Sequence, residues 1–364
     1  MTSANLTTTM IIDSTELQTP SYTPSYIGLM ASAVYMTFLT IVGGLGNILV
    51  IVAILISPRL KNRSYAFTFN LSIADLGVNL IVIPLGLVSL FNYGWPPDPI
   101  ACRTIFYLYT ITISVSLQTL TMVALNRYLL ITKPRQTFVK FCGLKQIVAT
   151  LFALWMTAIL LSIIPELGFG AFHYDPYLRI CYVDNSDPAA WWHMNGIIIF
   201  GFVAFFSTIP ILYFLTFRAV RASKLRVHAQ SEQTNNHPSA QNANCTDGDD
   251  AYRQRASIKK RKTFKISKDE IRLTQITALI FLILTICWSP LLLVHFFKRH
   301  FDVPVAIQRL AVLLVYTNSS FNPYLYALMN KNFRQAYKKI LSCGRSQIIM
   351  TDATIVTLNV VNES

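Results

Sequence analysis

Seven stretches of this chain are apolar and nearly free of charge over more residues than the ~20 a helix needs to cross a bilayer. They lie near residues 26–56, 65–92, 101–131, 143–166, 190–217, 272–298 and 305–329. Inside lipid every backbone N–H and C=O must be satisfied within the chain, which for runs of this length means helices. The expected fold is therefore an all-α membrane protein, a seven-transmembrane helix bundle. Composition agrees, with 53% hydrophobic and only 13% charged residues. The net charge of +14 does not point to nucleic acid, because the cations are interrupted by long charge-poor segments. Counting Lys and Arg by alternate loops places 26 on one side and 5 on the other. The rich side is cytoplasmic, so the amino terminus is expected outside, in a multi-pass protein of the plasma membrane.

That topology divides the rest. Residues 1–25 form an extracellular tail, and Asn5-Leu6-Thr7 makes Asn5 a candidate glycosylation site. Residues 26–329 hold the bundle, and 227–266 form a basic third cytoplasmic loop. Within it, polar low-complexity residues 229–250 are expected to be disordered, and Lys259-Lys260-Arg261-Lys262 to meet the anionic inner leaflet and its lipids. Residues 330–342 read as an amphipathic C-terminal helix, with Phe333, Ala336, Tyr337 and Ile340 on one face and Lys331, Arg334, Lys338 and Lys339 on the other. The cytoplasmic tail, 343–364, opens on Cys343, a candidate for palmitoylation.

The chemistry concentrates in two crossings. The last carries Tyr316-Thr317-Asn318-Ser319-Ser320-Phe321-Asn322-Pro323-Tyr324-Leu325-Tyr326. Asn318, Asn322 and Tyr326 recur every four residues, one polar stripe on a helix, and Pro323 removes an N–H beside it. Such a stripe needs a partner, and Asp75 is the only acid deep in any crossing. A mid-membrane carboxylate costs about 2.5–3.5 kcal/mol unless it is met by charge or donors. Ser116, Asn318, Ser319 and Asn322, with Asn47 nearby, supply oxygens that suit Na⁺ or a proton at Asp75, so Asp75 is the candidate metal ligand. The alternative is a protonated Asp75 in a hydrogen-bond network. In the third crossing Cys102, Tyr109 and Ser116 recur every seven residues as one inward stripe, and the helix ends in Asn126-Arg127-Tyr128 with Glu270 opposite. Arg127 at the cytoplasmic edge reads either as a snorkelling anchor or as half of an ion pair with Glu270. Cys102 and Cys181 both fall outside, where a disulfide would tie the third crossing to the second outer loop. Gly43-Gly44-Leu45-Gly46 opens no soluble βαβ unit and is read as close helix packing. No CxxC or Cys/His pattern suggests a metal centre. A secondary transporter or ion channel, the second class considered, would carry inverted repeats or several ionisable groups along a path, and the halves of this chain do not mirror each other. An intramembrane enzyme would need a nucleophile–base pair at depth, which His295 near the outer end lacks.

Over residues 26–343 the chain resembles the rhodopsin-like (class A) G-protein-coupled receptors. The resemblance rests on Gly46-Asn47, Leu71–Asp75, Cys102 with Asn126-Arg127-Tyr128, Trp155, Cys181, Pro210, Cys287-Trp288-Ser289-Pro290 and Asn322-Pro323-Tyr324-Leu325-Tyr326. It implies that an outside ligand shifts the sixth helix and opens a cytoplasmic cleft for a heterotrimeric G protein, with arrestin and receptor kinases as further partners. Asn126, Arg127, Tyr128 and Glu270 would serve coupling. Asp75, Ser116, Asn318, Ser319 and Asn322 would hold allosteric Na⁺, with no covalent cofactor. Trp288, Pro290, Pro323 and Tyr326 would form the activation switch. The chain departs from the family where Asn126 replaces an acid and where Leu284 and Arg218 replace Phe and Tyr. Asn126-Arg127-Tyr128 and the stretch Pro165 to Cys181, with Tyr174-Asp175-Pro176, are similar to the melatonin-receptor branch. Glu166 and His173, however, stand where that branch carries its ligand-binding Asn and Gln. Tyr109 occupies the amine counter-ion position, and Tyr316 that of the opsin lysine. The expected pocket is therefore Tyr109, Phe202, Phe206, Leu291, Leu292 and Tyr316 above Trp288, with Glu166, His173 and His295 at its mouth. It suits an extracellular small molecule that is compact, lipophilic and weakly charged.

Overall fold

The computed structural model describes residues 25–91, 99–168, 171–175, 177–184, 188–235, 268–298 and 300–342. Within them seven long helices form a bundle: Tyr26–Ile56, Ala66–Phe91, Pro99–Thr132, Leu144–Ile163, Pro188–Asn235, Lys268–Phe297 and Val305–Met329. Six carry windows apolar enough to cross a membrane. The seventh falls short because its inner face holds Asn318, Ser319, Ser320 and Asn322, all buried. Burial is inverted relative to a soluble protein. Phe152 is 68% exposed and Ile100 70%, whereas Asp75, Asn79, Asn47 and Ser320 are 0% exposed. Lipid accepts the apolar exterior, and polar groups must find one another inside.

The seventh helix packs between the first and sixth, and the third touches the second, fourth and fifth. Two apolar clusters fill the interior. The inner one joins Leu71, Leu120, Tyr213, Ile280, Leu284 and Tyr326 to Phe333 of the terminal helix. The outer one joins Met36, Leu39, Val82, Ile113, Leu313 and Tyr316. Trp288 packs against both. Pro210, Pro290 and Pro323 lie inside their helices. The second helix contains a π-helical turn, Val78–Val82.

After Met329 the chain goes extended at Asn330, whose side chain accepts the Asn332 N–H at 2.9 Å and starts a helix over Lys331–Leu341. Phe333, Ala336 and Tyr337 are buried as the amphipathic pattern predicts, and burial pushes the Tyr337 hydroxyl above its ordinary range. Phe333 stacks on Tyr326 at 5.3 Å and meets Tyr65 edge-on at 5.6 Å.

Between the fourth and fifth helices, strands β1 (Ala171–Asp175) and β2 (Ile180–Asp184) form an antiparallel hairpin with Tyr174 opposite Cys181. Cys181 is disulfide-bonded to Cys102, as expected. The hairpin and the short helix Arg135–Phe141 are additions to the seven-helix expectation. So is the length of the fifth helix, which continues through Asn235 into the segment assigned to the third loop. Residues 218–235 contain no Gly or Pro and hold three Arg, three Ala and two Gln, which propagate a helix. Asn5, residues 236–267 with their basic run, and Cys343 lie outside the described residues.

Candidate functional site

The polar interior is built around Asp75. Its Oδ1 accepts from the Ser116 hydroxyl at 3.0 Å and its Oδ2 from Asn322 Nδ2 at 2.8 Å. One carboxylate thus joins the second, third and seventh helices. Asn47 Nδ2 donates to the carbonyls of Gly43 and Ser319, both at 3.0 Å, adding the first helix. Trp155 Nε1 donates to Asn70 Oδ1 and Asn70 Nδ2 to Thr119 Oγ1, each at 2.9 Å, adding the fourth.

Asn79 extends the network beyond the sequence-based expectation. Its Nδ2 donates to the carbonyls of Asp75 at 2.7 Å and Ser319 at 3.2 Å, and its Oδ1 accepts from Ser320 Oγ at 2.6 Å. The spacing of four from Asp75 was a usable signal, since residues four apart share a helix face. A Cβ on Gly43 would stand 2.1 Å from Asn79 Oδ1, so the glycine run packs as closely as expected. Asn318 sits in the same region without bonding the carboxylate. It is buried on the predicted face, but its Oδ1 has no partner and it makes no hydrogen bond to Asp75 among the described residues. The Asn47 Oδ1 is likewise unpartnered. A buried carboxylate, two hydroxyls and orphaned amide oxygens form a donor set for a small hard cation. The residues present fit Na⁺.

Near the Thr132 end of the third helix Arg127 is only 3% exposed, so it is no snorkelling anchor. Tyr213 and Tyr326, both buried, belong to the apolar cluster that fills this end of the bundle. Asn126 is buried, and both atoms of its carboxamide lack a hydrogen-bond partner among the described residues. Tyr128 is half-buried. The Glu270 side chain lies outside the described residues, so its pairing with Arg127 has no geometry here.

At the hairpin end of the bundle a cavity of about 170 Å³ opens between the second, third, sixth and seventh helices and the hairpin. Tyr109, Leu291 and Tyr316 line it as expected, joined by Phe106, Tyr182 and Arg179. The rings of Tyr109 and Tyr316 meet edge-on at 6.3 Å. Two expected wall residues, Phe206 and Leu292, and two expected mouth residues, Glu166 and His295, do not line this cavity. Glu166 sits in a 3₁₀ turn, Ile164–Leu167, whose three residues per turn swing it off the helical register. It accepts from Tyr107 at 2.6 Å and pairs with Arg103 at 3.3 Å. Phe206 packs on Phe281 at 5.7 Å, and His295 Nε2 bonds Asn195 Oδ1 at 2.9 Å, both at the contact of fifth and sixth helices. Leu292 is rotated off the wall that its neighbour Leu291 forms. The side chains of His173 and Phe202 are outside the described residues.

Residues 46–326 match the family model "7 transmembrane receptor (rhodopsin family)". The chain is similar to the Drosophila melanogaster "G-protein coupled receptor moody", with 25% identity covering 88% of this chain and 53% of that one. It therefore spans about half the length of that relative. It is also similar to the Mus musculus "Melatonin receptor type 1A", at 26% identity over 85% of this chain and 79% of the relative. Its backbone resembles squid rhodopsin with a TM-score of 0.72 at 20% identity, covering 89% of this chain and 87% of that one.

Proposed function

The chain belongs to the rhodopsin family of seven-transmembrane receptors, and from that premise we propose that it binds a small lipophilic ligand from outside the cell and signals to a heterotrimeric G protein. The observation that carries the reading is the Asp75 network, which ties the second, third and seventh helices to one another between the outer cavity and Arg127. A ligand seated on Tyr109, Leu291 and Tyr316 lies over Trp288, which packs on both apolar clusters. Displacing that indole tilts the sixth helix about Pro290, where the backbone lacks a hydrogen bond. Movement there uncovers Arg127 for the G protein. Asp75, Ser116, Ser319 and the orphaned oxygen of Asn318 would hold Na⁺ in the resting state, and the bound charge would offset that of the carboxylate. The plasma membrane is the site of action, with the amino terminus outside and arrestin and receptor kinases acting on the cytoplasmic face.

The test needs no known ligand. In cells carrying G-protein dissociation reporters, basal dissociation should rise with surface density of the chain and vanish in Arg127→Ala at equal density. An ion current or solute uptake that Arg127→Ala leaves intact, with no G-protein response, would favour the transporter or channel reading instead.

A further inference from the structure

We infer that Asn79 is a positioning residue of the switch: its amide stands in for the backbone N–H that Pro323 lacks and holds the seventh helix in its resting bend. The inference rests on the receptor reading for what that bend controls. It goes beyond that reading in assigning the hold to a residue of the second helix.

Pro323 lies inside the seventh helix, Val305–Met329. Proline has no N–H, so the carbonyl four residues earlier, that of Ser319, loses its helical donor. Ser319 is buried, and a buried carbonyl without a donor is costly. Two side-chain amides meet it instead. Asn47 Nδ2 of the first helix donates at 3.0 Å and Asn79 Nδ2 of the second at 3.2 Å. A carbonyl oxygen has room for both bonds, so two helices close on the gap that the proline opens.

Asn79 does more here than Asn47. Its Oδ1 accepts from Ser320 Oγ at 2.6 Å, so one carboxamide grips two consecutive residues of the seventh helix just before the bend. Its Nδ2 also donates to the Asp75 carbonyl at 2.7 Å, which fixes the amide plane against its own helix. The residue is 0% exposed, and the missing Cβ of Gly43 lets it lie against the first helix. Plain adhesion between helices would be met by bonds anywhere along them. These converge on the carbonyl that the proline leaves unserved.

The same contacts reach the cavity. Asn79 lies in the π-helical turn Val78–Val82, and Val82 and Gly86 of the same helix line the cavity. Such turns are rare in helices and occur frequently at functional sites. On the seventh helix Tyr316 lines the cavity, and its carbonyl lies 3.3 Å from the same Ser320 Oγ. A ligand that displaces Tyr316 therefore pulls on Ser320 and, through it, on Asn79.

Asn79→Leu copies the shape of the side chain and removes its donors and its acceptor. At matched surface density it should raise basal G-protein dissociation about fivefold. In the purified full chain it should speed amide hydrogen exchange several-fold within residues 319–329 and leave the fourth helix unchanged. Ser320→Ala, which leaves both bonds to the Ser319 carbonyl in place, should give a smaller rise in each. Pro323→Ala returns an N–H to that carbonyl, so in its background Asn79→Leu should add little further exchange. Should Asn79→Leu fail to fold, Asn79→Ala is read in the same two backgrounds. Equal acceleration with and without the proline, or acceleration spread over every helix, overturns the inference, because the amide then serves packing alone. So does basal dissociation that stays at the wild-type level while exchange quickens. Quickened exchange confined to the bend, with no G-protein dissociation from wild type or any variant, would leave the hold on the bend standing and count against the receptor reading alone.

Discussion

Asn126 is buried beside Arg127 with its whole carboxamide unpartnered, an arrangement that costs about 1–3 kcal/mol for such a group. An acid there would hold the neighbouring guanidinium by charge, and an amide does so only weakly. The resting state is therefore less firmly held, and some basal signalling is expected. Asn126→Asp should lower basal G-protein dissociation about fivefold at matched surface density, a shift of ~1 kcal/mol in the two-state balance. Basal dissociation equal in wild type and variant would remove Asn126 from the account. Asp75 poses a second single-residue question, since Ser116 and Asn322 each donate to one of its oxygens. If Na⁺ belongs there, NaCl at about ten times its Kd should stabilise the purified protein by ~1.4 kcal/mol relative to KCl. Asp75→Asn should abolish that difference, and a sodium-specific rise in unfolding midpoint that survives the substitution would place the ion elsewhere.

At the scale of elements, close approach of the first and second helices depends on a missing Cβ. A methyl on Gly43 would strike Asn79 Oδ1, which is fixed by Ser320 Oγ and cannot swing away without losing that bond. Gly43→Ala should destabilise by about 1–3 kcal/mol, as overpacking does. In the double variant with Asn79→Ala the added cost should fall toward zero, because the obstructing amide is gone. Additive losses in thermal midpoint would show that the two positions do not meet. The same elements show what a sequence discloses. Helix limits are legible because hydrophobicity and polar breaks repeat along the chain, and the Cys102, Tyr109, Ser116 stripe is legible because heptad spacing keeps one face inward. Each member does face inward, to the hairpin, the cavity and Asp75 respectively. Glu166 and Arg179 are not legible in this way. A 3₁₀ turn re-aims the first, and a left-handed residue in a hairpin turn re-aims the second, and helical periodicity encodes neither.

For the whole molecule, function depends on which end faces the cell exterior. The outer cavity lies at the end that carries the hairpin, the disulfide and the 5 sparse cations, and Arg127 at the end that carries 26. A Lys or Arg close to the anionic inner leaflet gains about 1 kcal/mol, so the inverted orientation forfeits far more than it recovers. Charge is therefore expected to direct the cavity outward and the buried arginine toward the cytosol. The prediction is read at Asn5, in the tail ahead of the described helices. An epitope fused to the amino terminus should be stained on intact cells, and glycosidase should speed the migration of wild type but not of Asn5→Gln. Staining only after permeabilisation would put the cavity in the cytosol, where neither an extracellular ligand nor a G protein at Arg127 has any access.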